Sequence, residues 1–187
     1  MNNEQSTTKL ADFSVGDYKG GPAFKVLVWS LFNYYIFDSA LPIPYTIKRF
    51  LLLLFCAKVG AGLVIKPKVR IKYPWRLTVG DFCWIGESVW IDNLEDVYIG
   101  NNVSISQGAM LLTGNHDYTK SDFPYRLGKI IIEDGAWIGA KSVVCPGITC
   151  ASHSILTVNS VASKNLDSWS IYAGNPAVFI RMRVMDK

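Results

Sequence analysis

The chain has 187 residues, half of them hydrophobic and 18% charged, with a net charge of +4; this suits one folded domain with a modest extension and excludes a disordered chain. The mild positive charge is not gathered into a basic stripe with interleaved aromatics, so no nucleic-acid partner is expected. Cys56, Cys83, Cys145 and Cys150 form no Cys-x-x-Cys pair and have only two histidines beside them, which argues against a zinc site and for buried thiols in a reducing, cytoplasmic setting.

Residues 1–22 open with the polar run MNNEQSTTKLADF, which lacks the charged-then-apolar order of a secretory signal and suggests little structure. Ala23–Phe37 then sets Val26, Trp29, Phe32, Asn33 and Phe37 close to helical spacing. Tyr45–Val59 is a second helix candidate, preceded by LPIP, whose prolines break or begin helices. Neither apolar stretch reaches the about 20 apolar residues of a membrane span. Both helices are expected to cover the open N-terminal end of the repeating region that begins beyond residue 62. Their apolar density, interrupted by Lys25, Lys48, Arg49 and Lys58, fits either a cap alone or a cap that also makes peripheral contact with the inner face of a membrane. Ile65, Val69 and Ile71 are expected to form an irregular first coil.

From Val79 a six-residue period takes over. Val79, Ile85 and Ile91 are six apart, as are Ile99, Ile105 and Leu111, and then Ile132, Ile138, Val144, Cys150, Leu156 and Ala162. Small or β-branched residues follow many of these at the fourth position, including Val89, Val103, Ala136, Ser142 and Ser154, and Gly80, Gly86, Gly100 and Gly139 follow directly. This period matches neither a helix face nor strand alternation. It matches a triangular all-β solenoid in which each hexad supplies one short strand and one corner, with the aliphatic residue inside and Gly at the corner supplying positive φ. The register breaks after Ile91, which adds two residues, and again between Leu111 and Ile132, where GNHDYTKSDFPYRLG reads as an extruded loop, the usual place for function on a rigid scaffold. Beyond Ala162 the hexads stop, and Gly174-Asn175-Pro176 is a turn signal. The organisation expected is a helical cap over 1–62, a β-helix over 63–170 with its loop at 113–129, and a tail over 171–187.

The hexads, the looped-out NHDY and the late AGNPA together resemble the hexapeptide-repeat acyltransferases. Within them, VWIDNL, SQGAMLLTGNHDY and WIGAKSVVCPGIT are similar to the colanic acid biosynthesis acetyltransferases, relatives of the galactoside, maltose and nodulation-factor enzymes. The resemblance runs from about residue 24 to 183. It implies a left-handed parallel β-helix, a homotrimer, and acetyl-CoA as cosubstrate in the groove between neighbouring prisms. It further implies O-acetylation of a sugar or a lipid-linked saccharide in exopolysaccharide assembly. The competing reading is a non-catalytic trimeric scaffold at the membrane surface, separated from the first by acceptor-dependent thiol release.

A sugar hydroxyl is a poor nucleophile while protonated, and an imidazole can remove that proton as the oxygen attacks. His116, at the start of the extruded loop, is the candidate base. His153 lies within a hexad at an outward position and reads as surface; with so few histidines, the three-His zinc site of the carbonic anhydrases that share this solenoid has no counterpart, and no metal is expected. Negative charge on the attacked carbonyl suits a backbone N–H, and the resemblance puts that role on Ala140, after Trp137 and Gly139, with Trp137 lining the pantetheine channel. It also places Asp92 and Asn93 in the same groove, where they orient the acceptor or His116 unless they serve only the turn, with Asp117 and Tyr118 at the rim, and Ser163, Lys164 and Arg181 near the coenzyme phosphates. The chain departs from the family in carrying Val178 after GNPA where Arg or Lys is usual, with Arg183 as the candidate substitute. No Gly-x-Ser-x-Gly elbow occurs, so direct transfer in a ternary complex is expected.

Overall fold

A computed structural model describes residues 7–16 and 18–186. Three parallel sheets form the walls of a triangular solenoid of about six turns. The first wall stacks Lys58–Val59, Leu77–Val79, Val97–Ile99, Ile130–Ile132 and Thr149–Cys150. The second stacks Val64–Ile65, Trp84–Ile85, Ser104–Ile105, Trp137–Ile138, Ile155–Leu156 and Ser170–Gly174. The third stacks Arg70–Ile71, Trp90–Asp92, Met110–Leu112, Val143–Val144 and Val161–Ala162. The hexad reading holds. The first coil, expected to be irregular, is in full register, with Val59, Ile65 and Ile71 paired to Val79, Ile85 and Ile91.

One aliphatic side chain per strand points inward, so columns such as Ile65, Ile85, Ile105, Ile138 and Leu156 fill the prism, each at most 1% exposed. At roughly 1.5–3 kcal/mol for each fully buried large aliphatic, these columns dominate the stabilising side of the fold. No single coil could bury its own column.

The corners work differently from the expectation. Gly86 and Gly139 do not have positive φ. A Cβ on Gly86 would lie 2.6 Å from the Gln107 nitrogen, and one on Gly139 2.6 Å from the Leu156 oxygen. The backbone of the next coil, not the local dihedral, is what forbids a side chain there. The left-handed residue falls two positions later, at Ser88 (φ 59), Lys141 (φ 56) and His153 (φ 60). Stacking holds these non-glycine residues in a conformation that costs an isolated L-residue about 1–2 kcal/mol.

All the extra residues emerge at one corner, where the third wall passes to the first. After Leu112 the chain leaves the prism as an antiparallel ribbon, Gly114–His116 with Tyr125–Leu127, in which His116 faces Tyr125. Thr113 anchors its base: its buried hydroxyl donates to the Asp92 carbonyl at 3.0 Å and accepts the Glu95 N–H at 2.9 Å.

The N-terminal helices close the open end. Helix α1 (Ala23–Phe32) runs into a π-helical turn, Asn33–Phe37, and helix α2 spans Tyr45–Leu54. A solenoid end exposes unpaired strand groups on all three walls, and each is met. Arg49 donates to the carbonyls of Val59 and Gly60 on the first wall. Lys48, fully buried, donates to Ile65 and Lys66 on the second. On the third, Trp29 Nε1 donates to the Ile71 carbonyl at 2.7 Å while Asn33 Oδ1 accepts the Ile71 N–H at 3.0 Å.

Of the stretch 1–22, residues 1–6 and 17 lie outside the described residues. The rest is fastened to the ribbon loop and to the corners of the coils below it, contrary to the little structure expected of it. The Lys9 N–H donates to Ser121 O at 2.7 Å, Tyr18 Oη to Leu94 O at 3.0 Å, and Trp75 Nε1 to Gly20 O at 2.8 Å. At the other end Ser170–Gly174 extends the second wall and folds back through Asn175-Pro176 into the antiparallel strand Ala177–Met182.

Candidate active site

The ribbon carries His116 out from the corner and holds it there. Its Nδ1 lies 2.7 Å from the Phe123 carbonyl oxygen. A carbonyl can only accept, so Nδ1 carries the proton and Nε2 presents the lone pair. The ring stacks on Phe123 (centroids 4.6 Å apart, planes at 14°) and is flanked by Tyr125 at 5.1 Å and Phe13 at 5.6 Å. Three aromatic faces and one hydrogen bond thus fix the orientation of a half-buried imidazole. Its other side opens on a cleft of about 320 Å³ lined by Tyr118, Arg126, Gly128, Pro146 and Gly147.

Asp117 builds the ribbon's turn: Oδ1 accepts the Thr119 hydroxyl at 2.6 Å and its N–H at 3.1 Å. These bonds hold the Asp117 carboxyl below the usual carboxylate range. Tyr118 is exposed at the rim. Asp92 sits at the end of a third-wall strand. Lys72 Nζ approaches its Oδ1 to 2.9 Å, an ion pair too oblique to count as a hydrogen bond, so this buried oxygen has no aligned donor. Asn93 is fully buried; its Oδ1 accepts the Tyr73 N–H at 2.9 Å and its Nδ2 donates to the Tyr73 carbonyl. Its side chain clamps the chain across the corner and, having no exposed surface, presents no polar group to a ligand.

The residues expected to meet acetyl-CoA divide between two parts of the prism. Ser163 and Lys164, both exposed, follow the third wall one coil above Cys145 and Pro146, along the same edge as the His116 cleft. Trp137 stands exposed on the second wall, its Nε1 donating to Ser106 Oγ at 2.9 Å. Gly139 and Ala140 form the next corner. Among the described residues the Ala140 N–H makes no hydrogen bond within the chain, a property shared by Glu87 and Gln107 at the same corner of earlier coils. Arg181 is exposed on the terminal hairpin, opposite Ile171. Arg183 instead donates to the carbonyls of Gly135 and His153. His153 stacks on Trp169 with centroids 4.2 Å apart, a structural use of its ring.

Cys56 is exposed, contrary to the buried thiols expected; the other three are held away from the thiolate form. Burial pushes Cys150 up to about 12 and also raises Cys83 and Cys145. Among the described residues no group of three or more His, Cys, Asp or Glu side chains is placed to hold a metal ion.

Sequence reasoning misses Phe13, the Phe123 carbonyl, Tyr125 and Arg126. Phe13 reaches His116 from a segment without periodicity. The Phe-Pro-Tyr run in the loop is visible, but its pairing across the ribbon is not.

No family model matches the chain. It is 38% identical over 176 residues, 94% of its length and 97% of the other, to the protein named colanic acid biosynthesis acetyltransferase WcaF of Escherichia coli (strain K12). Among solved structures it superposes with a TM-score of 0.80 at 18% identity on a hexapeptide-repeat-containing acetyltransferase of Vibrio cholerae O1 biovar eltor complexed with acetyl coenzyme A, covering 92% of this chain and 96% of that one. With a maltose O-acetyltransferase of Clostridium difficile 630 the TM-score is 0.76 at 18% identity, over 96% and 100% of the two chains.

Proposed function

The chain belongs to the colanic acid biosynthesis acetyltransferases, a hexapeptide-repeat family, and from that premise we propose that it moves the acetyl group of acetyl-CoA onto a hydroxyl of a sugar or saccharide intermediate in exopolysaccharide assembly. The observation that carries the chemistry is the 2.7 Å contact from His116 Nδ1 to the Phe123 carbonyl. It leaves Nε2 as the only basic nitrogen and points it away from the loop backbone. Nε2 takes the hydroxyl proton as the sugar oxygen forms its bond to the thioester carbon. The carbon–sulfur bond then breaks, and the imidazolium returns its proton to the leaving thiolate, so that the products are an acetate ester and free thiol. The carbonyl oxygen gains negative charge on the way, which the uncommitted N–H of Ala140 is suited to receive. Trp137 lines the pantetheine path, and Ser163, Lys164 and Arg181 meet the phosphates. Asp92, ion-paired to Lys72 at the end of its strand, and Tyr118 at the rim bind the acceptor.

The working form is a homotrimer. What supports it is the division of these groups: His116 and Lys164 occupy one edge of the prism, Trp137 and Ala140 the second wall and the corner after it. Threefold packing sets one copy's edge against the next copy's wall, and the acyl donor lies between them.

The test is thiol release from acetyl-CoA with a panel of saccharide acceptors. Wild type releases thiol in proportion to an accepted sugar. His116→Ala folds and turns over about 10²–10⁴ times more slowly at saturating substrates, the scale of a lost general base. A folded variant near wild-type turnover removes His116 from the role; acceptor-independent or absent release from wild type favours the scaffold.

A further inference from the structure

The helical cap is apolar on both sides. Its inner side is used: Trp29, Phe37, Leu52 and Phe55 pack on the first coil and on each other, with Trp29 centred 5.1 Å from both Phe37 and Phe55. Its outer side is not. On α1, Phe24, Leu27 and Leu31 recur at helical spacing and are exposed, Phe24 by 78%; on α2, Ile47, Phe50 and Leu54 do the same, Phe50 by 62%. Nothing among the described residues covers these two stripes. An apolar face of this kind marks a binding surface.

Charge says what it binds. Residues 19–80 contain ten Lys and Arg and one acid, Asp38, whereas the rest of the chain contains nine and fourteen. Some of that positive charge is neutralised, since Lys68, Arg70, Lys72 and Arg76 have carboxylate partners. Lys19, Lys25, Lys58 and Lys66 have none among the described residues, while Arg49 is turned inward onto the first wall. A second copy docked against this end would bring two net-positive N-terminal regions together. An anionic lipid surface complements that charge, and exposed Tyr34 and Tyr35 at the end of the α1 stripe suit the headgroup boundary. Each helix has ten residues, about 15 Å at 1.5 Å per residue, too short to cross a bilayer and suited to lying in its surface.

We propose that the outer faces of α1 and α2 are an interfacial membrane anchor for anionic lipid, holding the solenoid by its N-terminal end. This does not depend on the acyl-transfer reading, because lipid binding is measured without turnover. The experiment is flotation of the full chain with vesicles of equimolar phosphatidylglycerol and phosphatidylcholine, and with phosphatidylcholine alone. Binding is expected to the anionic vesicles, weakening as salt screens the cations. The double variant Phe50→Ser, Leu54→Ser, altered only at exposed positions, should keep the wild-type thermal transition and lose binding about tenfold or more. Absence of wild-type flotation, or equal flotation of the variant, overturns the anchor. So does a wild-type assembly larger than the variant's by light scattering without flotation, which would assign the face to a second copy.

Discussion

The proton on the His116 ring sits where the Phe123 carbonyl puts it, and the three aromatic rings around it leave the imidazole little freedom to turn. Phe13 is the ring supplied from farthest away in sequence, and its contact with His116 is one of position, not chemistry. Truncating it removes an aromatic contact of about 0.5–1.5 kcal/mol. Phe13→Ala should therefore lower turnover by about 3- to 10-fold by loosening the base, while Phe13→Tyr, which keeps the ring, stays near wild type. The KM for acetyl-CoA should hardly move. A Phe13→Ala enzyme with wild-type turnover would show that the loop alone orients the histidine. The candidate base was legible in the sequence because NHDY closely follows a hexad strand. The groups that aim it were not, because a backbone carbonyl has no sequence signature and Phe13 lies in a stretch without periodicity.

At the level of elements, the hexads were legible because an interior column demands an aliphatic residue every sixth position, with a small one beside it where the next coil passes. The first coil was harder to read. Val59 lies in what reads as the end of a helix, and the eight residues from Ile71 to Val79 interrupt the period. The cap was legible as an apolar run. Its pairing with strand edges, through Trp29, Asn33, Lys48 and Arg49, is a long-range fit that a local pattern does not encode. Lys48 carries a measurable consequence. Burial alone lowers its pKa below 10.5, so between the lowered value and 10.5 the unfolded chain holds a proton that the folded chain lacks. Stability attributable to this lysine must rise with pH through that window. The unfolding free energy of wild type minus that of Lys48→Met, from urea titrations, should grow as the pH rises toward 10.5. Taking the difference cancels the opposing trend from the buried cysteines, whose raised pKa values cost stability in the same range. A flat difference would mean that the ammonium is not desolvated.

For the whole molecule, the proposed homotrimer would make assembly part of catalysis, because the candidate groups divide between an edge and a wall. The stacking also gives the prism a direction. The proposed lipid face lies at the N-terminal end, while Lys164 and Arg181 lie toward the C-terminal end, so the nucleotide end of the coenzyme would point away from the membrane. Neither relation is written in any one motif; both arise from stacking coils in order. The shared site has a direct test in two inactive variants, His116→Ala and Ala140→Pro, the second removing an N–H that makes no hydrogen bond within the chain. Each alone should fold, assemble and turn over slowly. Coexpressed in equal amounts, they form mixed trimers in which a His116 edge meets an intact Ala140 corner at about one quarter of the sites. Thiol release should recover to about that fraction of wild type. Mixed trimers no more active than the separate variants would contradict a catalytic site built between copies around His116.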